Sequence, residues 1–228
     1  ENQQMVSHAL NDKGAIRLLG NGRQMSAEDI KKNIELLMQN PVQIKNMSRA
    51  GLEVADGLGV KRVVLETKPR YSKDGKIISL RPLTLEDNEL LFEWQLDPRT
   101  RRYFKNPGIP TYDEHTSWVK SRLNDIFSYT VIILHGKAPA GVLRLDPAKG
   151  VVGGRSVYMI SLYVDPHKYE LGIGKAALGI IVELMNHSEM RAEIHKENIP
   201  SKRLFENLGF VTNNGYLYIK PPVEIFEV

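Results

Sequence analysis

The spacing of apolar residues along residues 77–228 changes repeatedly between the period of a strand and that of a helix. Runs rich in β-branched residues predict strands, and amphipathic stretches behind a capping residue predict helices. The predicted strands cover 77–83, 129–134, 140–145, 157–164, 191–195 and 210–211. The predicted helices cover 84–94 with Pro98 as the stop, a stretch capped by Thr111 or Asp113, a segment from the glycines near 172 to about 186, and 200–208. Three consecutive strands between helices favour a mixed α+β fold with a central antiparallel meander over a doubly wound sheet.

The first 68 residues carry a weaker pattern. Apolar spacing predicts helices over 5–10 and 41–55, Ser26 is the expected N-cap of a helix between them, and 15–19 predict a short strand. Such short elements make a marginal core by themselves, so 1–68 are interpreted as the end of something larger. The polar stretch 69–76 is interpreted as a linker to a domain over 77–228.

Composition and charge exclude several classes of protein. The chain has no cysteine, which leaves no disulfide framework and no thiolate metal site; no metal is expected, and a cytoplasmic location is the simplest interpretation. No apolar run approaches the roughly 18 residues that cross a bilayer, so no membrane contact is expected. The 31 Lys and Arg residues nearly balance 27 Asp and Glu and form short, scattered clusters, which argues against nucleic-acid binding.

A glycine loop between a predicted strand and a predicted helix is the first candidate binding site. Gly172, Gly174 and Lys175 stand where the first amides of a helix point outward, an arrangement that favours a phosphate. A Cβ at either glycine would obstruct a ligand or forbid the turn. The loop is neither a Walker loop nor a complete dinucleotide fingerprint. Taken alone, Gly-x-Gly is more typical of an ordinary helix start.

A second motif begins at Asn198, 24 residues after Gly174, and reads Asn-Ile-Pro-Ser-Lys-Arg-Leu-Phe-Glu-Asn-Leu-Gly-Phe. Together with Val-x-Pro at 164–166 and the glycine loop, it resembles the acetyl-CoA site of the GCN5-related N-acetyltransferase (GNAT) superfamily, over roughly residues 77–220. The resemblance implies a GNAT fold, an αβα sandwich around a mostly antiparallel sheet, with acetyl-CoA as co-substrate. It assigns the contacts with acetyl-CoA to Leu162, Val164, Tyr169, Leu171, Gly172, Ile173, Gly174, Lys175, Asn198 and Phe205.

Two positions depart from the family pattern. Tyr169 occupies the Arg/Gln position, which removes a side-chain contact but leaves the backbone cradle intact, and Phe205 occupies the place of the tyrosine that protonates the departing thiolate. A thiol has a pKa of about 8.5, so we expect slower transfer rather than none. The strand at 158–163 also lacks the family's carboxylate. The expected base is a water held by Ser161 or Tyr163, with Glu93 or His115 as alternatives.

The front half of this domain resembles a branch that includes ribosomal-protein N-terminal acetyltransferases and the amino-sugar nucleotide acetyltransferase of pseudaminic acid synthesis. That resemblance implies Glu93, Trp94 and His115 as substrate contacts, with Trp94 stacking on a nucleotide sugar. Core packing is the alternative for Trp94 and the favoured interpretation of Trp118, and a packing role is favoured for His115.

Residues 1–66 resemble the closing elements of the UDP-sugar hydrolase of the same pathway, a two-domain enzyme of glycosyltransferase-like (GT-B) fold. The combination implies a fusion of two consecutive steps, in which the acetylated amine is the 4-amino group of a UDP-linked 4-amino-4,6-dideoxy sugar for surface polysaccharide synthesis or flagellin glycosylation. Acetylation of a protein N-terminus and a degenerate CoA-binding scaffold are the alternatives, and a homodimer is left open.

Overall fold

The computed structural model of this chain describes residues 2–22, 24–54, 69–125, 127–152 and 155–223. The chain divides into two compact units, Glu1–Val64 and Leu65–Val228. The predicted boundary at residue 68 lies outside the described residues and stays a prediction. Within the described ranges, no helix has both the length and the apolar character that crossing a bilayer requires.

The described residues of the first unit form three helices. Ser26 caps the second of them as predicted, because its hydroxyl accepts the N–H of Asp29 at 3.1 Å and the carboxylate of Asp29 accepts the N–H of Ser26 at 3.1 Å. The three are α1 (Asn2–Asp12), α2 (Ala27–Met38) and α3 (Pro41–Val54). The last residue of the predicted third helix, Ala55, lies outside the described residues.

The strand predicted at 15–19 is wrong, since these residues form bends and irregular backbone. The N–H of Leu18 donates to the side chain of Asn11 at 2.9 Å rather than to a neighbouring strand. A single short run of apolar residues becomes a strand only where a second strand offers ladder partners. Helix α2 also has no buried residue, which agrees with the expectation of a marginal core.

The second unit is built on one seven-stranded sheet whose spatial order follows the chain. Neighbouring strands are antiparallel except for the fifth and sixth, which are parallel. The predicted antiparallel meander is therefore confirmed. The strands are β1 (Arg70–Tyr71), β2 (Ile77–Pro82), β3 (Tyr129–His135), β4 (Ala138–Val152), β5 (Arg155–Val164), β6 (Glu189–Glu193) and β7 (Leu217–Lys220).

Helices cover both faces of this sheet, because neighbouring residues of one strand belong to different cores. Ile133 packs in the larger core with residues of the helix Ile173–Leu184, whereas Ile132 packs in the smaller core with Trp94. This arrangement is the predicted αβα sandwich. The helices are α4 (Asn88–Leu96), α5 (Pro98–Arg101), α6 (Tyr112–Asn124), α7 (Ile173–Leu184) and α8 (Ile199–Glu206), with short 3₁₀ turns at Leu85–Asp87 and Pro166–Lys168.

Residues 70–76 of the predicted linker form a hairpin with the sheet. Strand β1 pairs with Ile77 and Ile78 of β2, and the N–H of Ser72 donates to the carbonyl of Lys76 at 2.9 Å across the turn. Its strand is only two residues long, too short for any alternation to show in the sequence. The polar turn is held by hydrogen bonds instead of by buried apolar side chains.

Two other boundaries differ from prediction for local reasons. Pro98 does not simply end α4: it opens the short helix α5, because the carboxylate of Asp97 accepts the N–H of Arg99 at 2.8 Å and caps the new helix. The last strand is Leu217–Lys220, and Val211 of the predicted strand makes only an isolated bridge to Ile219. Thr111, one of the two expected caps, caps α6.

Candidate active site

Strands β5 and β6 separate part-way along their length and open a cleft in the sheet. They pair only where Val157–Met159 face Glu189–Arg191, so residues 160–164 have no ladder partner from β6. The cleft is a cavity of about 1080 Å³ walled by β5, the end of β6, the starts of α7 and α8 and the loop after α5. A free strand edge beside a cavity can accept an extended ligand as an added strand.

The glycine loop lies on one wall of this cavity. Gly172 has a φ of 76° and is the N-cap of α7, so the first N–H groups of the helix begin at the cavity wall. Ile173, Gly174 and Lys175 line the same wall, as do Leu162 and Val164 of β5. Leu171 does not line it, and its carbonyl accepts the N–H of Lys73 at 2.8 Å.

Gly174 lines the cavity and is also closely packed against neighbouring side chains. A Cβ at this position would lie 3.3 Å from Leu204 Cδ1, 3.5 Å from Val164 Cγ2 and 3.6 Å from Leu162 Cδ2. The first turn of α7 therefore lies directly against β5 and α8, which brings the helix start to the cleft. The predicted role of a glycine in the turn itself belongs to Gly172.

Tyr163 and Ser161, the predicted holders of a catalytic water, both line the cavity. Burial raises the pKa of Tyr163 to about 12, so its phenol is protonated at neutral pH and can donate a hydrogen bond but not accept a proton. The hydroxyl of Ser161 is exposed and accepts a hydrogen bond from Nη2 of Arg144 at 3.4 Å. Ser161 is the better placed of the two to hold a water.

Trp94 is not among the residues that line the cavity, and its burial favours the core-packing alternative over a stacking wall for the substrate. Its side chain is 5% exposed in the smaller core, and its ring lies edge-on to Tyr163 with centroids 6.3 Å apart. Glu93, the preceding residue on α4, is exposed and does not line the cavity either. Adjacent residues of a helix point about 100° apart, so Glu93 can be exposed to solvent while Trp94 packs in the core.

His115 lines the cavity and is buried, with Nε2 3.2 Å from the carbonyl oxygen of Asn88. A carbonyl can only accept, so Nε2 carries the proton in that bond and Nδ1 is unprotonated in the neutral ring. Burial lowers the pKa of His115 and favours that neutral form. A neutral imidazole in the cavity wall is a group that can take a proton from an amine.

Sequence reasoning missed the cluster of Trp118 and Arg144. The guanidinium of Arg144 lies 5.8 Å from the centre of the Trp118 ring, and His115 lies 5.8 Å from the same ring. Nε of Arg144 lies 2.6 Å from Oδ2 of Asp146 as an ion pair, and Nη1 of Arg122 donates a hydrogen bond to Oδ1 of Asp146 at 3.0 Å. Trp118, Arg144 and Asp146 all line the cavity, so this part of its wall, called the acceptor end below, has an aromatic and a cationic group held in place.

The family model of the acetyltransferase (GNAT) domain matches residues 78–211, which is more than half of the chain.

The chain belongs to the GNAT acetyltransferase family.

This GNAT domain also resembles solved structures and one curated protein. RimJ of Mycobacterium smegmatis in complex with CoA-disulfide is 15% identical, with 66% of this chain and 83% of that chain covered and a TM-score of 0.57. An acetyltransferase of Thermus thermophilus is 20% identical, with 63% and 96% covered and a TM-score of 0.53. These likenesses show the fold. An uncharacterised protein of Methanocaldococcus jannaschii is 28% identical over 152 residues, which are 29% of its length.

Family membership makes the chain an N-acetyltransferase that uses acetyl-CoA, and the cleft fits that co-substrate. The start of α7, where Gly172 has no side chain, suits the pyrophosphate of acetyl-CoA. The unpaired edge of β5 suits the amide groups of its pantetheine arm. Among the described residues, no three His, Asp or Glu side chains are grouped to hold a metal ion.

Tyr169 and Phe205, the two departures from the GNAT pattern, both line the cavity. Phe205 is buried, lines the cavity and meets Phe210 edge-on with centroids 4.9 Å apart, and its phenyl ring has no proton to give a thiolate. Asn198 caps α8, since its Oδ1 accepts the N–H of Ser201 at 3.2 Å. Its amide N–H groups are thus the part of the side chain that remains for a ligand.

The loop before Gly172 contains a strained residue, Glu170, whose φ is 65°. The left-handed conformation costs an L-residue about 1–2 kcal/mol, and glycine there costs about 0.5–1 kcal/mol in lost backbone entropy. We expect Glu170→Gly to raise the free energy of unfolding by about 0.5–1 kcal/mol in urea titrations. The control is Glu197→Gly, an exposed loop glutamate without a positive φ, which should lower it. Equal losses in both variants would contradict the strain.

Proposed function

We propose that this chain transfers the acetyl group of acetyl-CoA to the 4-amino group of a UDP-linked 4-amino-4,6-dideoxy sugar. The observation that carries the proposal is Arg144, which is held at the acceptor end of the cavity by Trp118 and Asp146. A fixed guanidinium binds phosphate oxygens through parallel N–H groups, and a nucleotide sugar brings a diphosphate close to its sugar ring.

Three carboxylates that line the cavity are already bound by groups of the protein, which favours an anionic acceptor over a polycation. Asp146 binds two arginines, Glu114 accepts the N–H of Thr111 at 2.7 Å, and Glu193 binds Lys105 and the hydroxyl of Tyr216. Each of these carboxylates is already engaged by a donor of the protein. Solved structures of similar fold include an aminoglycoside acetyltransferase and a spermidine acetyltransferase, whose named acceptors carry several positive charges.

Acetyl transfer requires a neutral amine next to the thioester carbonyl and a hydrogen-bond donor that polarises that carbonyl. Nδ1 of His115 is available to take the proton of the incoming amine, directly or through a water held by Ser161. The phenol of Tyr163, kept protonated by burial, is available as a hydrogen-bond donor. Bound acetyl-CoA would supply the thioester, and the residues of this chain would orient the amine and receive its proton.

A fusion with a UDP-sugar hydrolase is part of the same proposal. It is supported by the relative from M. jannaschii, in which the matched segment is only 29% of the protein, so the domain occurs there beside further sequence. The three helices of the first unit would then be the end of a hydrolase domain of glycosyltransferase-like fold. The chain spans less than a third of that relative.

Release of free thiol from acetyl-CoA tests the proposal on a panel of acceptors: a UDP-4-amino-4,6-dideoxy sugar, short peptides with free N-termini, an aminoglycoside and spermidine. We expect turnover with the sugar nucleotide. Turnover with peptides alone would move the function to protein acetylation, of which RimL and RimJ are named examples of similar fold. If CoA binds but no acceptor causes release of thiol, the result would favour a CoA-binding scaffold and contradict the proposal.

The variant Arg144→Gln tests the residue on which the proposed substrate depends. A hydrogen bond to a charged group contributes about 1.5–3 kcal/mol, so we expect the KM for the sugar nucleotide to rise about tenfold to a hundredfold with that for acetyl-CoA unchanged. Arg122→Gln is the matched control, because Arg122 binds Asp146 but does not line the cavity. Equal effects of the two variants on the KM would contradict direct contact by Arg144.

A further inference from the structure

The hairpin of β1 and β2 reaches the glycine loop from outside the segment that defines the family. Its turn residue Lys73 donates its backbone N–H to the carbonyl of Leu171 at 2.8 Å. The side chain of Lys73 then extends past Gly172, with Cγ 3.4 Å and Cε 4.0 Å from the point that a Cβ on Gly172 would occupy. Lys73 also lines the cavity, although it precedes residue 78, where the family match begins.

The turn that carries Lys73 is held in place on its other side. The hydroxyl of buried Ser72 donates to Asp74, and Nε2 of His135, at the end of β3, lies 2.8 Å from Oδ1 of Asp74 and 3.0 Å from Oγ of Ser72. These hydrogen bonds lower the pKa of Asp74 to about 2, so it is a carboxylate at neutral pH. The position of Lys73 is thus set by the sheet rather than by a free loop.

The basic side chains around the glycine loop differ in whether a carboxylate of the protein pairs with them. The ammonium of Lys168 lies 3.3 Å from Asp165 and donates to the carbonyl of Pro139 at 2.6 Å, and the guanidinium of Arg99 lies 2.6 Å from Asp97. In the described part of the chain, no carboxylate lies within ion-pair distance of Lys73. Its positive charge is available to a ligand at the start of α7.

We propose that Lys73 binds the pyrophosphate of acetyl-CoA and supplies the side-chain contact that Tyr169 cannot provide. Tyr169 occupies the family's Arg/Gln position, and burial raises the pKa of its phenol, so it is neutral when CoA binds. Gly172 and Lys73 both line the cavity, and Cε of Lys73 lies 4.0 Å from the position that a Cβ on Gly172 would occupy. Coenzyme A binding is therefore supported by a hairpin that lies before the family domain. This inference concerns the co-substrate alone and does not depend on which amine is acetylated.

Calorimetric titration of the full chain with CoA alone tests Lys73. We expect Lys73→Gln to raise the Kd for CoA about tenfold, to raise the Kd for 3′-dephospho-CoA by the same factor and to flatten the dependence of both on salt. Lys73→Arg should keep most of the affinity because it keeps the charge.

Lys76→Gln is the matched control on the same turn, since the ammonium of Lys76 lies 3.7 Å from Asp74 and Lys76 does not line the cavity. Its Kd should stay within about twofold of the parent protein, a difference of less than about 0.5 kcal/mol. An unchanged Kd in Lys73→Gln overturns the proposal, and so does a loss confined to CoA, which would place the charge on the 3′-phosphate. Because no acceptor is present, either failure is distinct from a failure of the proposed function.

Discussion

Replacing Gly172 with glutamate is expected to weaken acetyl-CoA binding by at least about a hundredfold. Gly172 has a φ of 76°, which L-residues rarely adopt, and the new side chain would begin 3.4 Å from Cγ of Lys73. Its carboxylate would lie at the start of α7, where the structure offers N–H groups to an anion, and would also neutralise Lys73. A hundredfold is about 2.8 kcal/mol, consistent with loss of several contacts to a charged group. Calorimetry with CoA measures it.

The matched control is Gly136→Glu. Gly136 has a similar φ of 64° in the turn between β3 and β4, its nearest neighbour would be Cδ of Lys76 at 3.9 Å, and it does not line the cavity. Both variants should lose stability through the same backbone strain, and only Gly172→Glu should lose CoA affinity. Unchanged CoA binding in Gly172→Glu would contradict the assignment of the glycine loop to the CoA site.

Replacing Trp94 with alanine is expected to lower the free energy of unfolding by about 3–5 kcal/mol. Trp94 is 5% exposed in the smaller core, where it packs with residues such as Leu91, Val119 and Val142. Its removal leaves a cavity between α4, α6 and the sheet that rigid strands cannot fill. Urea unfolding followed by circular dichroism measures the loss.

Trp118→Ala is the matched control for Trp94→Ala. Trp118 is half-buried, lines the cavity and supports Arg144, so its loss should cost less stability and raise the KM for the acceptor. The opposite pattern, with a stable Trp94→Ala protein whose acceptor KM rises, would restore the stacking role of Trp94. Equal losses of stability in the two variants would contradict the different burial of the two rings.

The elements of the second unit were predictable because local chemistry specifies them. β-Branched runs predicted β3 and β5, and the hydroxyl of Thr111 marked the start of α6 by satisfying an amide of its first turn. The two-residue strand β1 was not predictable, since its pairing depends on a turn held by His135, more than sixty residues away.

Residue types at short, fixed spacing were enough for the resemblance to the GNAT family and for the glycine loop at the start of α7, whereas the role of Asn198 as the cap of α8 came from the structure. Which tryptophan faces the cavity emerged only from the folded chain, because both lie on amphipathic helices and packing on the sheet sets the helix rotation. The fold alone also brought Lys73 against Leu171 and Gly172. Those contacts join residues about a hundred positions apart, and no local pattern encodes such a distance.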